Sequence, residues 1–254
     1  MKEYIKQTIC SFVESENSER YWRTPLTGFA DADSEYIRSL PVRTGVNHAM
    51  PCEMLPGART VIVYFVPFSL EVNESNKVEG YASETWARAY ERTNEMMSHL
   101  NSHIIGELEK RGYNASAASD SAVRFDREKL ISMWSYRHLA YAAGLGTFGI
   151  NRMIITQKGC SGRIGTVITD LDVEHDEPMK EQQCLYRKSG ICGICMKNCV
   201  AKALEPGGFN RKACYEVCMN NAAKYKGFGD SYGGGIGSEV CGKCISFSPC
   251  AYRK

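Results

Sequence analysis

Nine of the twelve cysteines in this 254-residue chain fall within its last 71 residues. They run Cys184-x7-Cys192-x2-Cys195-x3-Cys199, then Cys214-x3-Cys218, then Cys241-x2-Cys244-x5-Cys250. Thiolates packed this densely in a reduced chain have few uses besides soft metals. The C-terminal third therefore reads as a metal module (residues 179–254), and residues 1–178 as the larger domain it serves.

The compartment matters to that reading, because oxidised cysteines would pair instead. The start, Met-Lys-Glu-Tyr-Ile-Lys-Gln-Thr, lacks the apolar stretch of a secretory signal. No run approaches the ~18 consecutive apolar residues of a membrane span. The expectation is a cytoplasmic, reducing setting without membrane contact, which counts against disulfides. Formal charge is +2 overall, yet residues 184–254 hold eleven Lys and Arg against four Asp and Glu. A basic tail suggests nucleic acid. Two [4Fe–4S] cores with four thiolates each carry roughly −2 apiece, and compensation for them is the simpler account.

Along the larger domain, Ile5, Ile9 and Phe12 take helical spacing. Thr60 to Val66 is apolar, mostly β-branched or aromatic, and stopped by Pro67, which predicts a buried strand. Glu84 to Arg111 reads as a long helix ending at Gly112, and about Asp126 to Ala143 as a second one ending at Gly144. Arg152–Thr156 and Arg163–Thr169 read as a hairpin joined by residues 157–162. Asp170 to Gln183 is an acidic linker, and Tyr232 to Gly237 a flexible excursion between ligand groups.

Two-cluster ferredoxins thread their cysteines so that three close ones hold one cluster and the next holds the other. On that scheme Cys184, Cys192, Cys195 and Cys250 hold one [4Fe–4S] cluster, and Cys199, Cys214, Cys241 and Cys244 the second. The first arm is stretched to seven residues, the last gap is five, and Val200 stands where proline commonly follows. Cys218 is a spare that could exchange with Cys214. The alternative is structural zinc on the two CxxC pairs, which leaves Cys184, Cys199, Cys214 and Cys250 unexplained unless they form a second site. Cys10, Cys52 and Cys160 read as inert small hydrophobes.

The segment Ala142 to Arg152, which holds Ala143-Gly144-Leu145-Gly146-Thr147-Phe148-Gly149-Ile150-Asn151, has the small residues that allow close backbone approach to a large ligand. It follows a helix and precedes a strand, so it is not the dinucleotide fingerprint, and a plain tight turn explains it equally well. Together with Leu26-Thr27-Gly28-Phe29-Ala30-Asp31, Pro56-Gly57-Ala58-Arg59-Thr60-Val61-Ile62, Gly165-Thr166-Val167-Ile168-Thr169-Asp170 and the crossed cysteines, it resembles the epoxyqueuosine reductase family. That family is related to the cobalamin-dependent reductive dehalogenases, and the resemblance spans roughly residues 25 to 250.

The resemblance implies an α+β fold, with a nitroreductase-like cobalamin-binding domain followed by a ferredoxin-like two-[4Fe–4S] module. It implies that an external one-electron donor of ferredoxin or flavodoxin type feeds the clusters, which feed cobalamin. Gly144, Gly146, Thr147, Phe148, Gly149, Asn151 and Arg163 are the expected cofactor contacts. Base-off cobalamin is expected, since the chain lacks the Asp-x-His-x-x-Gly run and Asp172-Val173-Glu174-His175 has the wrong spacing.

Two departures concern the family's tRNA substrate. Leu130-Ile131-Ser132-Met133 replaces the family's Asp-Thr-x-Pro run, whose Asp is the proposed proton donor, and the chain stops at Lys254 without the tRNA-holding helical tail. A small-molecule or nucleoside substrate is therefore expected rather than tRNA. Nearby, His138 or Tyr136 could donate a proton; the plainer reading packs His138 and Trp134 in the core. Asp120 and Asp126 read as loop and cap residues, and His48, His99 and His103 as structural. The competing functions are a ferredoxin-like electron carrier without corrinoid that docks a partner enzyme, and a zinc-stabilised binding module.

Overall fold

The computed structural model describes residues 1–118, 125–229 and 237–254. Asp120 and most of the expected excursion at Tyr232–Gly237 lie outside them.

Eight strands are described. In chain order they are β1 (Leu26–Asp31), β2 (Thr60–Pro67), β3 (Ala115–Ala117), β4 (Phe125–Asp126), β5 (Ile131–Ser132), β6 (Gly146–Phe148), β7 (Ile154–Thr156) and β8 (Gly162–Thr169). Four form an antiparallel sheet ordered β1-β2-β8-β3, and β4-β5 and β6-β7 form two small ribbons. The helices among these residues are α1 (Lys2–Ser15), α2 (Glu35–Arg38), α3 (Leu40–Thr44), α4 (Pro51–Met54), α5 (Leu70–Ser75) and α6 (Glu84–Glu109). They continue with α7 (Tyr136–Ala142), α8 (Leu185–Ser189), α9 (Ile194–Lys197), α10 (Arg211–Lys224) and α11 (Lys243–Ser246). None of the described helices is long and apolar enough to cross a membrane.

Every residue of β2 is buried, which requires cover on both faces of the sheet. Ile62, Tyr64 and Val66 join one apolar cluster with Ile5, Ile9 and Val13 of α1 and Leu100, Ile104 and Leu108 of α6. Val61, Val63 and Phe65 join the other with Ile37, Leu40, Leu139 and Ala140. Each such aliphatic side chain contributes about 1.5–3 kcal/mol by leaving water. The Ser83 hydroxyl accepts the Trp86 N–H at 3.1 Å to start α6. Gly112 follows its end in left-handed backbone, φ +83°, where the sequence expects a cap.

Two expectations are corrected. The helix over 126–143 shrinks to α7. Asp126 Oδ1 takes the N–H groups of Glu128 and Lys129 into a turn, and Leu130 adopts φ +54°. Trp134 stands before the helix, its indole N–H reaching Thr166 Oγ1 at 3.1 Å. The expected hairpin does not form: β7 pairs with β6, whereas β8 pairs with β2 and β3. The chain between them turns aside because Cys160 and Ser161 donate their N–H groups to the carbonyls of Cys250 and Ala251. The acidic linker carries no helix or strand yet is pinned. The Asp176 carboxylate accepts from Phe29 N–H and Lys2, at 2.9 and 2.7 Å.

The cysteine-bearing segment packs onto the α1–α6 side of the sheet. Cys184, Cys195, Leu204, Tyr225, Val240 and Ile245 all belong to that apolar cluster.

Candidate metal centre and the face beside it

Cys184 caps α8, Cys195 lies in α9, Cys192 precedes α9, and Cys250 follows α11. Although sequence separates them widely, all four line one cavity of about 100 Å³ with Ile150, Ile155 and Arg253. The arrangement has identifiable fasteners. Cys184 N–H donates to Gln182 Oε1 at 2.9 Å, and that oxygen also accepts from the Thr147 hydroxyl at 2.8 Å. The segment carrying Cys250 is laid along residues 158–161 by the Cys160 and Ser161 N–H groups, and Arg23 bridges the carbonyls of Lys158 and Arg253. Burial, followed by the facing thiols of Cys250, Cys184 and Cys192, pushes Cys195 up to about 11. A hydrogen bond from the Cys160 thiol draws Cys250 down to about 6. Crowded thiols of this kind resist ionising together, a condition a bound cation relieves.

The other cysteines gather beside this set. Cys214 and Cys218 stand one turn apart on α10. Their mutual hydrogen bond holds Cys214 down at about 7, assisted by the Arg137 charge, and raises Cys218. Burial raises Cys244, which feels Cys241, Cys214 and Cys199, and through Cys195 the first set as well. Among the described residues no three His, Cys, Asp or Glu side chains close on one point as a single ion requires. A zinc ion would draw its thiolates to ~2.3 Å of one centre.

The expected cofactor-binding segment forms the end of α7, then β6 and the turn into β7. A Cβ at Gly144 would collide with the Glu177 carbonyl, one at Gly146 with that of Ile155, and one at Gly149 with the Asn151 side chain. The close approach these glycines permit is thus made by the chain itself. Thr147 Oγ1 bonds Gln182 and accepts from Gln183 N–H, while buried Asn151 donates to Cys160 Sγ at 3.7 Å. Arg163 is not in this group; it stacks on Tyr90, 4.2 Å from the ring centroid.

Beside α7 lies a half-exposed aromatic wall. Phe148 packs against His138 at 4.8 Å and Tyr141 at 6.1 Å between ring centroids, and Tyr36 packs against both. Tyr136 opens α7 and is half-buried at its edge. His138 shares a 2.7 Å hydrogen bond with Ser135 Oγ. Burial, with Arg137, His48 and Arg43 nearby, pushes His138 down to about 4, so it is neutral near pH 7. His48 Nε2 accepts from Ser135 N–H at 2.9 Å, which leaves its Nδ1–H to donate to the Ala49 carbonyl at 2.7 Å. Arg137 donates to the Arg152 carbonyl, and the Arg152 Nε is buried without a partner. Sequence reading took Arg152 only as the end of the candidate cofactor-facing segment and the start of a strand, and passed over Arg137 and Arg253. Nothing in the spacing of charged residues marks which of them the fold turns toward the thiols.

An antiparallel sheet between helical layers, closed by a polythiol segment whose ends meet at one cavity, defines a class of α+β fold. That fold is the one found in epoxyqueuosine reductases and reductive dehalogenases. Epoxyqueuosine reductase from Streptococcus thermophilus matches over 95% of this chain and 66% of its own, at 18% identity and a TM-score of 0.53. An epoxyqueuosine reductase solved with an epoxyqueuosine-modified tRNA-Tyr stem loop matches over 97% of this chain and 66% of its own, at 20% identity and 0.53. A reductive dehalogenase described for B12-dependent dehalogenation matches over 90% of this chain and 30% of its own, at 16% identity and 0.59. The chain thus spans just under two thirds of the reductases and under one third of the dehalogenase. No family model matches the sequence, and neither does any curated protein.

Proposed function

We propose that the chain is an iron–sulfur oxidoreductase of the epoxyqueuosine reductase type, acting with cobalamin on a small or nucleoside-like substrate. The observation that carries this reading is the single cavity lined by Cys184, Cys192, Cys195 and Cys250. Ligands drawn from both ends of the thiol segment are what interleaved cluster binding requires. Cys199, Cys214, Cys241 and Cys244 supply the second set, with Cys218 as the neighbour of Cys214. When bound, two [4Fe–4S] clusters and a corrinoid supply one-electron transfer and a strongly reducing cobalt centre.

The side chains fit those groups. Soft thiols in an apolar cavity suit iron–sulfur cores. The half-exposed wall of Tyr36, His138, Tyr141 and Phe148 offers a flat apolar face, and the orphaned Arg152 Nε offers a donor to a ligand's amide periphery. Arg137, next to His138 in the chain, carries a charge that favours the ionised Cys214 thiolate. Neutral His138, anchored by Ser135, can hold a proton on its ring N–H beside the wall, and Tyr136 is the alternative donor on the same turn.

Anaerobic reconstitution with iron and sulfide tests the reading. About eight iron atoms per chain and saturable corrinoid binding are expected, the latter followed by absorbance. Iron without corrinoid binding would reduce the chain to an electron carrier, and zinc alone would remove redox chemistry altogether.

A further inference from the structure

Four large apolar side chains on the thiol segment face solvent: Leu185 is 53% exposed, Ile191 83%, Ile194 38% and Val200 46%. Each is the immediate neighbour in sequence of a thiol of the two ligand sets, namely Cys184, Cys192, Cys195 and Cys199. Elsewhere among the described residues, exposed large hydrophobics are scattered over residues 1–125, as on any soluble surface. Interleaved with these four along the chain are Arg187, Lys188, Lys197 and Lys202, all exposed, and no acid occurs between Cys184 and Leu204. Lys188 pairs with Glu181 at 2.8 Å, while Arg187, Lys197 and Lys202 have no ion pair among the described residues.

From this arrangement we infer that residues 185–202 are the docking surface for a small acidic one-electron carrier protein. The inference rests on the iron–sulfur reading above and assigns its entry point. An apolar centre with a charged rim is the anatomy of a transient protein interface. The charged side chains within residues 185–202 are all basic, so the complementary partner is acidic. RNA fits less well: aliphatic side chains offer neither stacking planes nor hydrogen bonds to bases. A second copy of this chain would bring the same positive segment against itself. Because each of these four residues adjoins a cysteine, a carrier seated here lies one residue, about 3.8 Å of backbone, from the thiols of the proposed ligand sets. With iron held by these thiolates, the reduced carrier would supply one electron to it and be oxidised by one equivalent. No bond forms or breaks.

Stopped-flow reduction of the iron-loaded chain by a reduced acidic flavodoxin, with dithionite in parallel, tests the surface. For Arg187→Glu combined with Lys197→Glu, the carrier-driven rate is expected to fall at least 10-fold; for Ile191→Ser, several-fold. The wild-type carrier rate should drop steeply with salt. Dithionite rates and iron content should stay at wild-type values, since small reductants need no docking. Unchanged carrier rates in both variants overturn the surface. So does a result in which the variants abolish binding of an RNA stem loop, or wild-type self-association, while carrier rates hold. A wild-type chain that takes up no iron overturns the proposed function and this surface together; iron-loaded wild type with indifferent variants overturns the surface alone.

Discussion

Arg253 reaches back to Gln183, donating from Nη1 to Oε1 at 2.6 Å and from Nη2 to the main-chain carbonyl at 3.1 Å. The contact joins the residue just before Cys184 to the segment just after Cys250, and so closes the first thiol set into a ring. Gln183 N–H in turn donates to Thr147 Oγ1 at 2.9 Å, which fastens the ring to β6. The geometry of the thiols is therefore set partly by the larger domain rather than by the cysteine segment alone.

Removing that closure should loosen one set and spare the other. Hydrogen bonds from a charged donor contribute roughly 1.5–3 kcal/mol. Arg253→Ala is expected to cost about 2 kcal/mol, a drop in Tm of about 4–8 °C for a chain of this size. Under chelator challenge, iron should leave the first set before the second. Arg253→Lys, which keeps the charge and loses the fork, should fall between. Equal iron loss from both sets in Arg253→Ala would show that the contact does not organise the first set.

Trp134 places the start of α7. Its ring is buried in the second apolar cluster, its N–H bonds Thr166, and it packs 5.6 Å from the His48 ring. Trp134→Ala is expected to cost about 3–5 kcal/mol through the cavity it leaves. Trp134→Phe should cost about 1–3 kcal/mol, because the Thr166 hydroxyl then loses its donor. Urea unfolding midpoints of the two variants measure the difference.

The two histidines beside α7 give the protein a pH dependence with a definite sign. Burial lowers His48, and burial with neighbouring positive charge lowers His138 to about 4. Unfolding releases His138 to an ordinary value near 6.5, where it binds a proton more readily. The stability these neutral rings provide is complete above about pH 6.5 and is lost as pH falls toward 4. Solvent screening of this half-exposed ring reduces the His138 contribution to about 1–2 kcal/mol. Melting temperatures taken from pH 7 to pH 4.5 should fall, and His138→Gln should flatten part of that decline. A His138→Gln curve parallel to wild type would show that this ring is not held neutral by the fold.

Sequence alone carried the β2 strand and the long helix, because each is a short-range pattern of apolar spacing. It misplaced the segment before α7, where helical periodicity continued through Leu130 but the backbone there turned left-handed. The hairpin failed for a different reason. The donors that would have closed it, Cys160 and Ser161 N–H, are taken by residues about 90 positions away, a contact no local pattern encodes. The same is true of Arg253 and Gln183, whose partners are legible only in three dimensions. The glycines of the 144–149 segment were visible, yet what approaches them is the chain's own backbone.

Gly159 shows how closely the thiol segment is fitted to the domain beneath it. Its φ is +97°, and a Cβ there would collide with the Ala251 carbonyl and come against Tyr252. These residues follow Cys250 directly, and their backbone is the strand-like arm that Cys160 and Ser161 hold. Gly159→Ala therefore combines two costs: left-handed strain of about 1–2 kcal/mol and the displacement of the arm carrying Cys250. Gly45 separates the two effects. It has a similar φ of +70° but nothing within 4 Å of its missing side chain. Gly45→Ala is expected to lower Tm by a few degrees and leave iron content unchanged. Gly159→Ala is expected to lower iron from about eight to about four atoms per chain on reconstitution, since Cys250 leaves its cavity while Cys199, Cys214, Cys241 and Cys244 keep their places. Full iron loading of Gly159→Ala would mean that the arm can shift without moving Cys250, and that the first set does not depend on the fit between these two segments.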